Sequence, residues 1–233
     1  MIKTRALPKS VQLSELLIRE IAAGRLPDGA RLPTEKQMAE NHGVAVGTLR
    51  KSLSILESKG LLERVQGSGN YITAKESVES VYTFFRLELK DGGGLPSAQI
   101  LEISPLPKPE YCPDFGKDRM AHRIVRLRYL DEKLVALEEI WLDRRFSPDI
   151  RLSDISESLY VYYKESLDLI ISRIEDKIGL HEVPKWAPEN FNMLPGESAG
   201  YIERVGWDQF DQPAEFSKTW FNPKIANYTN RLS

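Results

Sequence analysis

The residues best suited to chemistry stand in two basic clusters. In HRIVRLRYL, residues 122–130, Arg126 and Arg128 are two apart, so on an extended strand both project to one face. Two neighbouring guanidiniums repel unless water or a shared anion lies between them, and their planar forks suit phosphate or carboxylate. The residues alone leave two readings open, an anion site and a solvent-facing strand. In GVAVGTLRKSLSILESKG, residues 43–60, Leu49, Leu53 and Leu56 line one side of a helix while Gly47, Arg50, Lys51 and Ser54 turn towards the other. Arginine can pair with guanine O6 and N7 or with phosphate, and lysine supplies a phosphate-seeking point charge. The competing reading is a solvated helix face.

Other site chemistries find little support. His42, His122 and His181 are isolated, and none stands in a His-Glu-x-x-His or Cys-x-x-Cys context. The single cysteine, Cys112, excludes an internal disulfide framework and reads as an inert thiol. Gly92-Gly93-Gly94 lacks the spacing of a phosphate loop and reads as a flexible loop. No Ser-His-Asp order is present, and neither a metal nor a cofactor is expected. The N-terminus has no uninterrupted apolar segment or small-residue cleavage site, and no long apolar run follows, so the chain is expected to be cytoplasmic with no membrane association.

The elements that must position these clusters fall into two modules. Residues 1–75 hold 12 Lys and Arg against 7 Asp and Glu, while the remainder holds 20 against 27, which sets a basic first third before an acidic rest. A polyanion-facing module joined to something else is implied. Residues 10–23, SVQLSELLIREIAA, place Leu13, Leu17 and Ile21 at helical spacing, and Pro27-Asp28-Gly29 marks a turn. Thr34 followed by Gln37 forms the signature of a capped short helix. Asn41-His42-Gly43 ends it, and the helix carrying Arg50 begins at once, at the spacing of a helix-turn-helix. LLERVQGSGNYIT then reads as a hairpin turning at Gly67-Ser68-Gly69, the wing of a winged helix.

GRLPDGARLPTEKQMAENHGVAVGTLRKSLSILESKGLLERVQGSGNYI resembles the DNA-binding domain of the GntR family of bacterial transcription regulators, through its Leu-Pro-Thr-Glu start, Gly-Val turn, Leu-Arg pair, Gly-Leu step and Gly-x-Gly wing. The resemblance implies that Lys36, Thr48, Arg50, Gly67 and Gly69 face DNA, and Lys51 joins them on the exposed helix side. The family commonly has Ser-Arg where this chain has Ala45-Val46. A preferred helix-capping side chain and a base-reading guanidinium are therefore missing, so the site read is expected to differ from the family's usual one. Val46 either packs at the edge of the leucine stripe or touches a thymine methyl.

Residues 76–80 read as a linker and 81–233 as a second, α+β domain. SAQILEISPL, HRIVRLRYL, KLVALEEIWL, AGYIERVGWDQ and QPAEFSKTWF are strand-like, with Asp131-Glu132-Lys133 and Phe210-Asp211-Gln212 as hairpin connections. SESLYVYYKESLDLIISRIEDKI reads as helical material, with Leu159, Tyr162, Tyr163, Leu167, Ile170, Ile171 and Ile174. IVRLRYLDEKLVALEEIWL, SLYVYYKE and YIERVGWDQFDQPAEFSKTWF resemble the UTRA effector domain of the HutC branch of GntR regulators, related in fold to chorismate lyase. This resemblance implies that Arg126 and Arg128 bind an anion, that Thr83, Glu138, Ser158 and Phe221 line the same effector cavity, and that Ser158 caps a helix there. Arg204 and Glu215 read instead as structural ion-pair partners.

The expectation is a homodimeric transcription regulator, a repressor that reads a roughly palindromic double-stranded operator and is released by a small anionic metabolite such as a sugar phosphate or organic acid. Two rivals are an enzyme of chorismate-lyase-like fold acting on a small acid and a DNA-binding regulator with a degenerate effector site.

Overall fold

The computed structural model describes residues 7–22, 24–73, 84–116, 118–156 and 158–230. The described chain forms two compact units, whose main spans are residues 7–86 and 87–228. The expected linker at 76–80 and Thr83 lie outside the described residues.

In the first unit, helices α1 (Lys9–Ala22), α2 (Glu35–Asn41) and α3 (Val46–Ser58) precede an antiparallel hairpin of β1 (Leu62–Val65) and β2 (Gly69–Ile72). Leu13, Ile18, Leu49, Leu53 and Leu56 are fully buried, so the leucine stripe of α3 builds the core that joins the three helices. Both halves of the expected capping box form at α2: the Gln37 N–H donates to Thr34 Oγ1 at 3.3 Å, and the Thr34 N–H donates to Gln37 Oε1 at 3.2 Å. At its other end the Gly43 N–H donates to Glu40 O and the Val44 N–H to Ala39 O, with Gly43 left-handed at φ 59°. This glycine turn re-aims the chain within a few residues, and α3 starts at once.

The second unit is a six-stranded antiparallel sheet ordered β4-β5-β6-β9-β8-β7, from β4 (Pro96–Pro107), β5 (Met120–Leu130), β6 (Lys133–Asp143), β7 (Arg173–Glu182), β8 (Ser198–Trp207) and β9 (Pro213–Phe221). A small pair of β3 (Leu87–Leu89) with β10 (Ala226–Tyr228) and the helix α4 (Leu159–Ser166) complete it. The fold class is α+β, as expected. Asp131 and Glu132 turn β5 into β6 with φ of 46° and 64°, a two-residue hairpin turn made without glycine.

One helical expectation fails. Leu167, Ile170, Ile171 and Ile174 do not continue α4: the helix ends at Ser166, Asp168 takes a left-handed φ of 51°, and residues 173–182 form β7. Aspartate enters that region more readily than most residues, so the chain reverses without a glycine or proline signal. Ile174, Ile178 and Leu180 alternate with charged or small neighbours, a two-residue period that the helical pattern of the isoleucines obscures.

One face of the sheet carries Arg126, Glu138, Thr219, Phe221, Gly200, Ile202 and Arg204 in neighbouring register positions. The other packs Val125, Leu127, Leu137 and Trp220 against Val183, Phe191 and Met193. On the first face, a β-carbon on Gly200 would stand 2.2 to 2.6 Å from three ring carbons of Phe221. Gly200→Ala should therefore displace that ring and cost about 1–3 kcal/mol in urea unfolding; unchanged stability would show that the ring is not confined there.

Candidate functional site

The first unit presents an exposed polar side. Lys36 on α2 and Arg50 and Lys51 on α3 are exposed, Thr48 is half-buried, and Gly67 and Gly69 sit exposed in the wing. Arg50 is not free on that side, because its Nε donates to Glu35 Oε2 at 2.7 Å. Arg64, on β1, donates to Ser54 Oγ at 2.9 Å and pairs with Glu57 at 3.0 Å. Arg31 donates to Ser68 O at 2.6 Å in the wing turn, and a β-carbon on Gly69 would meet its Nε at 3.2 Å. Arg31 and Arg64 extend the basic side beyond the residues expected from sequence. Their signal was their nearness to the wing, which only the fold makes meaningful. Ala45 occupies the N-cap of α3 without a side-chain hydrogen bond, and Val46 is half-buried at its first turn.

In the second unit a layer of charge is buried on the sheet. Arg126 is 9% exposed, Arg128 2%, Glu138 9% and Glu215 3%, so the alternative of a solvent-facing strand is overturned. Arg126 Nε donates to Glu138, its register partner across β5 and β6. Arg204 makes a two-pronged pair with Asp176 at 2.6 and 2.7 Å, and the Tyr228 hydroxyl donates to the same carboxylate at 2.7 Å. From α4, Tyr163 donates to Glu215 at 2.7 Å and Tyr160 at 3.3 Å, which sets the helix over this face. Ser158 is buried at the N-cap position of α4, but its side chain makes no capping bond, contrary to expectation.

Burial opposes every charge here, and the neighbours decide which charges survive. Burial pushes the Glu138 carboxyl up, yet Arg126 and then Arg128 pull it below the usual range. Burial also raises Glu215, and there it prevails over the Tyr163 hydrogen bond and the more distant Arg126 and Arg204. Burial and then Glu215 raise the Tyr163 hydroxyl well above its ordinary value. Arg126 Nη1 is buried with no hydrogen-bond partner, so the guanidinium satisfied by Glu138 on one side keeps a donor for another acceptor. Of the two residues read from sequence as ion-pair partners, Arg204 pairs with Asp176, whereas Glu215 is held by the Tyr163 and Tyr160 hydroxyls. Away from this layer, burial raises the Cys112 thiol to about 12, the mark of an inert thiol. Among the described residues no group of His, Cys, Asp and Glu is placed to hold a metal, and no helix is long and apolar enough to cross a membrane.

A winged helix with a basic exposed side, joined in one chain to an antiparallel effector-type domain, is the architecture of a DNA-binding transcription regulator. The sequence profile of bacterial regulatory proteins of the gntR family matches residues 9–72, and that of the UTRA domain matches residues 93–226. The chain is 51% identical to the HTH-type transcriptional regulator SmoD of Agrobacterium fabrum over 97% of both chains. It is 27% identical to the mannosyl-D-glycerate transport/metabolism system repressor MngR of Escherichia coli, over 94% of this chain and 93% of that one. The crystal structure of the possible regulator YydK from Bacillus subtilis shares the fold, with a TM-score of 0.55 at 21% identity over 96% of this chain and 99% of that one. The chain belongs to the GntR family of bacterial transcription regulators, with a UTRA domain as its second half.

Arg50→Ala should weaken binding to specific DNA about tenfold or more, as loss of a base-reading guanidinium does. Its pair with Glu35 is exposed, so stability should shift by less than about 1 kcal/mol; unaltered DNA affinity in a retardation assay would remove Arg50 from the interface. Glu138 predicts a pH dependence. Its lowered folded pKa means that its stabilising contribution is complete above the unfolded value of about 4.3 and is lost as pH falls through the folded value. Glu138→Gln should cost about 3 kcal/mol or more at neutral pH by stranding Arg126. The deficit should shrink in unfolding curves below about pH 4, and a deficit independent of pH would contradict the ionised pair.

Proposed function

We propose that the chain is a homodimeric repressor of the cytoplasm. It reads a roughly palindromic operator through Lys36, Thr48, Arg50, Lys51 and the wing backbone at Gly67 and Gly69. A small anion entering among Arg126, Arg128, Glu138, Ser158 and Phe221 releases it.

The observation that carries the effector reading is the Arg126 guanidinium, buried, held by Glu138 and left with an unpartnered Nη1 donor. A buried donor without an acceptor costs about 1–3 kcal/mol, and an anionic oxygen recovers that cost. Burial raises the Glu215 carboxyl, which favours the same ligand by making that group less ready to carry the negative charge an anion would meet. The E. coli relative represses a system for mannosyl-D-glycerate, itself a sugar carboxylate, which supports a sugar-derived anion here.

Release has an energetic limit: the ligand weakens DNA binding only by as much as it prefers the DNA-incompetent arrangement, typically about 5–150-fold in coupled systems. The wild type should retard DNA from upstream of its own gene, and one member of a panel of sugar phosphates and sugar acids should reverse this. Arg126→Ala and Arg126→Lys should keep the retardation and weaken the response about tenfold or more. If both variants bound the active compound as tightly as wild type, the anion would bind elsewhere. Specific retardation that no panel member reverses would favour a degenerate site.

A further inference from the structure

The chain beyond residue 75 is acidic, and its arginines at positions 123, 126, 145, 173 and 204 each stand beside a carboxylate. A group of lysines breaks this pattern. Lys90 just after β3, Lys133 at the start of β6 and Lys224 between β9 and β10 line one cavity of about 340 Å³, together with Asp91 and Asn192. All three lysines are exposed, and among the described residues none of them forms an ion pair. Asp91 is the one carboxylate in the lining, and it pairs with none of them.

Hydrogen bonds beside each lysine hold the walls in place. The Lys90 N–H donates to Ile225 O at 3.0 Å, which fastens the end of β3 to the start of β10. The Lys224 N–H donates to Asn222 Oδ1 at 3.0 Å, and the Asn222 N–H donates to Val135 O at 2.9 Å, beside Lys133. Asn192 Nδ2 donates to Leu134 O at 2.7 Å, and an amide nitrogen has a second N–H to offer. Lys90 Nζ donates to Asn227 Oδ1 at 2.8 Å and has two donors more. Segments far apart in the chain are thus tied together around a space with a surplus of positive charge and donors.

The lining selects the ligand. Ammonium groups are compact point charges that take up a phosphate from several sides, whereas a planar carboxylate is met better by the fork of an arginine. The volume lies at the small end of ligand sites, which run from about 300 to 1,000 Å³. A terminal phosphate carries roughly −1.5 to −2 charge at neutral pH and suits both the space and the lysines. A phosphodiester has a single charge and continues as chain on both sides, so it suits neither as well.

We propose that Lys90, Lys133 and Lys224 form a second anion site in this chain, for the terminal phosphate or diphosphate of a small molecule. The site shares no residue with the layer around Arg126, and it stands whether or not that layer binds an effector.

Pyrophosphate is the probe, and the lysines themselves give the readout. The residues proposed for the first anion site include no lysine, so protection of these amines reports on this cavity alone. The full chain is treated with an amine-acetylating ester at low salt, with and without pyrophosphate, and peptide mass spectrometry follows each lysine. Pyrophosphate should protect Lys90, Lys133 and Lys224 and leave the exposed Lys185 as reactive as before. In calorimetry, Lys133→Gln with Lys224→Gln should weaken pyrophosphate binding about tenfold or more, and Lys133→Arg with Lys224→Arg should keep it within about threefold, because the charges remain. Both pairs lie at exposed positions, and circular dichroism should show the wild-type fold. Equal acetylation with and without millimolar pyrophosphate, or an affinity unchanged by the glutamine pair, overturns the assignment. Protection by a non-specific DNA duplex that matches pyrophosphate at equal phosphate concentration assigns the cavity to the DNA backbone and overturns the terminal-phosphate site.

Discussion

The second domain depends on a constraint of electrostatics: charges set inside a protein must find partners there. Isolated burial of an ion costs several kcal/mol after relaxation, so the arginines of β5 and β8 can lie on the covered face only because carboxylates stand across from them. Arg126 meets Glu138, and Arg204 meets Asp176. Glu215, with Tyr163 and Tyr160 bound to it, fixes where α4 lies on the sheet. Such a layer is a poor source of stability, since apolar residues of similar volume often do as well or better. Its value is chemical. One carboxyl is held below its usual range and another above it, beside a guanidinium with a donor to spare, and on this the proposed anion site rests.

The winged helix works by the opposite division. Its core is apolar, with Leu49, Leu53 and Leu56 fully buried, and its charge lies outside in exposed pairs. Glu35 pairs with Arg50, and an exposed pair of this kind contributes little, so in the proposed DNA complex an anionic partner could displace it at small cost. Arg31 and Arg64 bind to the wing turn and to α3, so the exposed basic side draws on α3 and the hairpin together.

Much of the first domain was legible because its signals are local. Thr34 and Gln37 are three residues apart, Gly43 ends α2 at the expected place, and the leucine spacing of α3 states its own buried face. The strands bearing Arg126, Glu138 and Phe221 were legible by alternation, and the two-residue rule put Arg126 and Arg128 on one face. What escaped is non-local or disguised. Tyr163 and Glu215 are 52 positions apart in the chain, and no spacing rule joins them. Glu35 and Arg50 meet only because the turn between α2 and α3 folds them together. β7 was hidden by isoleucines that happen to fit a helix, and by an aspartate doing the work of a glycine at Asp168.

The central claim is that one chain links anion binding on the sheet to DNA reading by the winged helix, and linkage makes this reciprocal. Titration calorimetry of the active sugar-derived anion against free protein and against the protein–operator complex measures it directly. The anion's affinity should fall on operator binding by the same factor by which the anion lowers operator affinity. Equal anion affinity in the two titrations would contradict the account, because a ligand indifferent to the DNA-bound state cannot release it.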